Sequence, residues 1–405
     1  MTHRRVILAA GISVALAAAA CHEDDLFSPA VPQYTGGAMF QRYVSMGNSL
    51  TAGWQSGGIN DSTQKQSYAV LAAAAMGSPF HYPSLNNPGC PPPIDTLFTA
   101  SGTPHRLGGS SVTTCYFRSA TIPLFLSNVA VPFAEALDAV VNGPGAGTNS
   151  NGLTQLFLGG RTQVQAMMDA HPTFVSVWIG NNDLLAAAEA GDTTLVTDTA
   201  SFRASYAKVV DSIEATGATA LLVAVGLGHQ DSTVLPLFSR GSTWYGLAAS
   251  GAFAPAPFTV AANCAPPRGD TVLVNFSYGF GLLATAKTGT PTTLDCTAPP
   301  VTEPPEARFF AREQAAYNAI IQRQATAHGW GYTDSVNTML DSLAKVANQF
   351  APFPNTAAAC NGFPFGLAFS CDGVHPNQAT QRLIARKLVR AINAKYGSAI
   401  PAVVP

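Results

Sequence analysis

Four side chains in this sequence are of types that together can carry out acyl transfer: Ser49, Asn182, Asp372 and His375. Ser49 stands in Gly47-Asn48-Ser49-Leu50-Thr51-Ala52-Gly53, directly after the apolar run Tyr43-Val44-Ser45-Met46. A hydroxyl at the end of a strand attacks a carbonyl if a base removes its proton. The same position suits a helix N-cap, because Ser, Thr and Asn side chains accept hydrogen bonds from the unpaired amides of a first turn. In Cys371-Asp372-Gly373-Val374-His375-Pro376 a carboxylate precedes an imidazole by three residues. One tight turn then sets the carboxylate beside the ring, much as i,i+3 side chains meet on a helix. A carboxylate there holds the tautomer whose other nitrogen accepts a proton. The plainer alternative is a polar turn in which the Asp caps the last helix. In Gly180-Asn181-Asn182-Asp183, Asn182 offers an amide donor to a developing oxyanion, while Asp183 reads as a helix cap.

The elements that must position these residues follow a βα alternation. The run 43–46 reads as a first strand, and Tyr68 to Met76 has helix-forming composition. Asn128-Val129-Ala130-Val131 reads as a second strand, before an amphipathic helix from Ala134 to Val141. Phe174 to Ile179 and Ala220 to Val225 are a third and a fourth strand, apolar enough for a parallel sheet covered on both faces. A helix is expected over Glu306 to His328, a fifth strand from Gly331 to Thr333, and a closing helix over Gln378 to Lys395 with Ala379, Leu383, Ile384, Leu388 and Ile392 on one face. The alternation predicts a doubly wound α/β sheet with helices on both sides. Asn182 and Ser49 then follow the carboxyl ends of strands, where such sheets bind ligands.

Taken together, Gly47-Asn48-Ser49-Leu50, the Gly-x-Asn-Asp element at 180–183 and the Asp-x-x-His at 372–375 resemble the GDSL-type esterases and lipases, the SGNH hydrolase family. The resemblance spans most of the chain and favours the nucleophile over the cap for Ser49. It implies a three-layer α/β/α fold and ester hydrolysis with Ser49, Asp372 and His375 catalytic and with no metal or organic cofactor. The implied oxyanion donors are the Ser49 amide, the Asn182 side chain and the backbone amide of Phe133, which stands where the family has glycine. A positive φ at Phe133 would be strained. Asn48 replaces the usual Asp before the nucleophile, and its side chain is expected to be mainly structural. The ordinary α/β-hydrolase elbow, Gly-x-Ser-x-Gly, fits less well, because Thr51 stands where its second Gly belongs.

The 405 residues carry 11% charged residues and a net charge of −2. An ordinary soluble protein has about 25% charged residues. With no basic surface to displace counterions, nucleic-acid binding is excluded as an expectation. The basic start Met1-Thr2-His3-Arg4-Arg5, a short apolar stretch and Ala18-Ala19-Ala20-Cys21 form a secretory signal, similar to that of bacterial lipoproteins, in which the cysteine is acylated. A plain signal peptide cut near Ala20 is the competing reading. The expected organisation is a signal peptide over 1–20, a lipoprotein tether over 21–38, and one SGNH-like domain over 39–397 with an insertion at about 230–305. The location expected is the bacterial outer membrane by lipid anchor, otherwise secretion.

Without Cys21, the remaining cysteines of an exported chain read as disulfides. They fall into sequential couples, Cys90 with Cys115, Cys264 with Cys296 and Cys360 with Cys371. No C-x-x-C spacing suggests a structural metal.

The expected function is a serine esterase or lipase acting, as a monomer, on a small-molecule, lipid or glycan ester. A surface lipoprotein that binds a lipid or glycan on the same fold without turnover is the alternative, and Phe133 is the feature that favours it. The aromatic residues of the insertion, Phe238, Trp244, Tyr245, Phe253, Phe258, Phe276, Tyr278 and Phe280, either line an acyl site or pack the insertion onto the sheet. His81, His105, His171 and His229 have no carboxylate in the same local register and receive no role.

Overall fold

The computed structural model describes residues 37–99, 103–109, 115–117, 123–141, 152–227 and 237–403. The expected signal, Cys21, most of the tether and His229 lie outside them. Four strands form one parallel sheet in the spatial order β1 (Tyr43–Gly47), β2 (Phe174–Trp178), β3 (Thr219–Val223) and β4 (Gly331–Thr333). Every residue of β1 and β2 is buried, as continuous apolar runs require.

Alternate side chains of a strand point to opposite faces of its sheet. Val44, Met46, Val175, Val177 and Leu222 accordingly join one core with the helices Thr199–Thr216 and Pro304–Ala327. Tyr43, Phe174, Trp178, Leu221 and Val223 join the other with Tyr68–Met76 and Gln378–Tyr396. The result is a three-layer α/β/α fold. The serines within the strands are satisfied where they are buried: Ser176 Oγ lies 2.9 Å from Ser45 Oγ and 2.7 Å from Tyr43 Oη.

The free edge of β1 meets residue 128. The Ser45 amide donates to Ser127 O, and the amides of Val129 and Val131 donate to Ser45 O and Gly47 O. Only one bridge, Ser45 with Asn128, is regular, so the second strand expected at 128–131 is an edge contact rather than a strand. Asn128 bends the segment, its Oδ1 accepting from Ala130 N at 3.2 Å and its Nδ2 donating to Thr51 O at 2.9 Å. The chain therefore visits one side of β1 and then crosses to β2 on the other, which makes the carboxyl ends of β1 and β2 a topological switch point.

The helix expected over Ala134 to Val141 is a series of turns. Side chains take the amides at its start, since Asp138 Oδ2 accepts from Glu135 N at 2.7 Å and Asp183 Oδ2 accepts from Ala136 N at 2.9 Å. Of the backbone bonds that follow, Asp138 N to Glu135 O and Val140 N to Leu137 O close turns of three residues rather than four.

The insertion has its own small antiparallel sheet, Phe238–Arg240, Leu273–Asn275 and Val301–Thr302, and two helices, Gly241–Ala249 and Phe276–Lys287. Its core gathers Trp244, Phe258 and Phe276 around Cys264 and Cys296, and it includes Phe365 and Phe369 from the loop before Asp372. The disulfides Cys90–Cys115, Cys264–Cys296 and Cys360–Cys371 are formed, with Cα separations of 5.1, 5.2 and 5.1 Å.

Candidate active site

Ser49 begins the short helix Ser49–Ala52 that follows β1. The cap is its neighbour: Asn48 Oδ1 accepts from Leu50 N at 3.1 Å, which gives Asn48 the structural role expected of it and leaves the Ser49 hydroxyl for other partners. Gly47 must be glycine for space, since a Cβ there would meet Thr51 Oγ1 at 2.3 Å and the Trp178 carbonyl at 2.6 Å. This close approach packs the turn against the end of β2.

His375 Nε2 lies 2.9 Å from Ser49 Oγ, and His375 Nδ1 lies 2.9 Å from Asp372 Oδ2. All three residues are buried or nearly so, with Ser49 6% and His375 7% exposed. Asp372 does not cap the last helix, whose N-cap is Asn377. Its carboxylate accepts from the amides of Val374 and His375 within the turn, from the Ser370 hydroxyl, and from the Gly57 amide at 2.7 Å. Burial alone would push this carboxyl up. The imidazole and these donors outweigh it and hold Asp372 down at about 2. Further latches fix the turn: Ser56 N donates to Ser370 Oγ, Cys371 N donates to Ser56 Oγ, and Cys371 is bonded to Cys360.

Asn182 opens the helix Asn182–Ala190 at the end of β2 and faces the same cleft as Ser49 and His375. Its Nδ2 donates to Ala134 O at 2.9 Å. An amide nitrogen has two hydrogens, so the one held by Ala134 orients the group and a second remains for a ligand. Phe133, at the third place of a turn closed by Ala134 N to Val131 O, has φ 68, the left-handed region that favours glycine. Its ring meets the Trp54 ring edge-on with centroids 5.0 Å apart, and the Trp54 and His375 rings lie 6.4 Å apart.

Asp183 is not a helix cap. It is 1% exposed and grips the Ala136 amide, and burial together with the neighbouring Glu135 pushes its carboxyl up to about 7 against the pull of that hydrogen bond. Burial and Asp138 raise Glu135 to about 7 as well.

The cleft at Ser49 offers about 50 Å³, and its apolar wall is Leu50, Trp178, Leu185, Leu227, Leu340 and Phe369. None of the insertion aromatics considered for an acyl site lines it. Phe238 packs with Ala187, Ala188 and Phe310, and the others pack the insertion's own core, which backs the turn at Asp372 through Phe365 and Phe369. His105 pairs with Asp95 at 2.6 Å on the surface and does not line the cleft. Among the described residues no group of three His, Cys, Asp or Glu side chains is placed to hold a metal ion.

Sequence reasoning missed Trp54, the Gly57 amide and the wall leucines. The amide has no side-chain signature, and isolated leucines and a tryptophan read equally well as core.

No protein-family model matches the chain, and no curated protein matches it. Among solved structures, the chain is similar to TesA, at 11% identity over 87% of this chain and 98% of that one, with a TM-score of 0.36. It is also similar to a catalytic mutant of Axe2, an acetylxylan esterase from Geobacillus stearothermophilus, at 10% identity over 87% of this chain and 94% of that one, with a TM-score of 0.38.

Proposed function

We propose that this protein is a serine ester hydrolase of the SGNH type. The observation that carries it is the unbroken chain Ser49 Oγ, His375 Nε2, His375 Nδ1, Asp372 Oδ2, with both contacts at 2.9 Å. In this mechanism His375 takes the Ser49 proton as the hydroxyl oxygen attacks the ester carbonyl, and Asp372 stabilises the imidazolium that forms. The oxyanion is met by the Ser49 amide, the second Asn182 N–H and the Phe133 amide. His375 then protonates the leaving alkoxide, and water, deprotonated by the same imidazole, releases the acid from the acyl-enzyme. The small apolar cleft suits acyl groups of a few carbons.

Hydrolysis of p-nitrophenyl esters of rising chain length tests this directly. Acetate and butyrate should turn over fastest, and Ser49→Ala should lower kcat by about 10⁶ while the fold persists. Equal rates for parent and variant would refute the assignment.

We also propose that the chain is exported and anchored by acyl groups on Cys21. Cys21→Ser should then move the protein from the membrane to the soluble fraction or leave its signal uncut. Release of the unmutated mature protein without detergent would support plain secretion instead.

A further inference from the structure

The turn carrying Phe133 is gripped by two consecutive residues of one helix start, and only the first of them faces the cleft. Asn182 Nδ2 holds Ala134 O at 2.9 Å, and Asp183 Oδ2 holds Ala136 N at 2.9 Å. The helix bearing both is fixed behind them, since Leu184 N and Leu185 N donate to Asn181 O and Thr197 N donates to Asp183 O. Between the two gripped residues and Val131 stands Phe133 at φ 68, a conformation that persists in a non-glycine residue only when its surroundings determine it. A carboxylate buried to 1% exposure is costly, and here it serves a backbone amide of that turn.

Resting on the esterase function proposed above, we infer that Asp183 is a positioning residue. By taking the Ala136 amide, its carboxylate sets where the Phe133–Ala134 backbone stands relative to Ser49, in register with the Asn182 side chain. It touches no reacting atom. Its effect on rate comes through the placement of the oxyanion donors, where an error of about 1 Å costs on the order of 10²-fold. The requirement is for an acceptor of the right length rather than for a charge, so asparagine, whose Oδ1 can take the same amide, is the conservative replacement.

The test compares the parent protein with Asp183→Ala and Asp183→Asn by steady-state kinetics on p-nitrophenyl acetate and by exchange of the Ala136 amide hydrogen. Asp183→Ala should lower kcat about 10- to 100-fold with KM changed less than about threefold, because the loss falls on transition-state stabilisation. Asp183→Asn should restore most of that kcat. The Ala136 amide should exchange slowly in the parent and Asp183→Asn and much faster in Asp183→Ala. The same slow exchange should be found in Ser49→Ala, which is inert, so the clamp is decided even if the parent shows no esterase activity. Parental kcat and slow Ala136 exchange in Asp183→Ala would overturn the proposal. So would a folded Asp183→Asn as impaired as the alanine variant, since a spared acceptor would then be of no use. If Asp183→Ala does not fold, Asp183→Asn alone decides, by its kcat and its Ala136 protection.

Discussion

Two buried aspartates beside the same cleft end in opposite electrostatic states. Asp372 lies in a turn that, together with the Gly57 amide, aims an imidazole, three backbone amides and a hydroxyl at its carboxylate, and its carboxyl is held down at about 2. Asp183 has only the Ala136 amide and the weaker pull of the Thr197 side chain against burial and its neighbours Glu135 and Asp138, and it is pushed up to about 7. Burial acts alike on both. The number and kind of donors decides, as expected when desolvation competes with hydrogen bonds and nearby charge. The turn at Asp372 is thus built to keep a charge, whereas the surroundings of Asp183 disfavour one.

Removing the charge of Asp372 should have the strongest consequence. Asp372→Asn keeps the shape of the turn but presents an amide to His375 Nδ1, which selects the wrong ring tautomer. The expected loss in kcat is about 10⁴. Esterase assays with the fold verified by circular dichroism would check it, and a loss below about tenfold would remove Asp372 from the triad.

The two turns were not equally legible in the sequence. Asp372 and His375 are close in the chain, and Ser49 and Asn182 each follow an apolar strand, so local pattern suffices for the residue types and their order. The flanking strands were found for the same reason, since continuous apolar runs announce a buried parallel sheet. The turn at Phe133 fails this test. Ala134 to Val141 has a helical spacing of apolar residues, yet it closes in short turns, and the side chain that holds its Ala136 amide, Asp183, is 47 residues away in sequence. The donor that completes the Asp372 site, the Gly57 amide, is 315 residues away and carries no side-chain signal. Phe133 was placed only through family resemblance, and its positive φ is a property of the turn that no residue type announces. The insertion aromatics mislead for a related reason: composition does not tell a ligand site from a small core.

The two aspartates also make stability depend on pH in opposite directions. An unfolded Asp titrates near ~3.9. Because folded Asp183 sits at about 7, the native state binds more protons than the unfolded state between roughly pH 4 and 7, so this group makes stability fall as pH rises through that window. Asp372 has the opposite sign: with its folded value at about 2, its contribution is full above about pH 4 and is lost as pH falls toward 2. Asp183→Asn cannot ionise. It should match the parent near pH 4 and exceed it by about 1 to 4 kcal/mol near pH 8, with a residual slope from Glu135. Urea unfolding at several pH values would show this. A constant offset between the two proteins at all pH values would mean that Asp183 does not titrate in this range.

The smallest effect concerns Phe133, where strain and packing oppose each other at one residue. Its left-handed backbone costs roughly 1–2 kcal/mol for a residue with a Cβ. Its ring recovers about 0.5–1.5 kcal/mol against Trp54. Phe133→Gly removes both the strain and the ring, so net stability should stay within about 1 kcal/mol of the parent after the unfolded-state entropy of glycine is included. Phe133→Ala keeps the strain and loses the ring, and it should be the less stable of the two. Both variants keep a backbone amide, so kcat should remain equal to the parent's or, for glycine, rise slightly. Thermal unfolding paired with kcat separates the causes. An alanine variant more stable than the glycine variant would show that φ at this position relaxes once the ring is gone. A loss of kcat of about 10²-fold in both would mean that the ring itself, through Trp54 beside His375, keeps the imidazole aimed at Ser49, and the amide of Phe133 would then not be its contribution to the site.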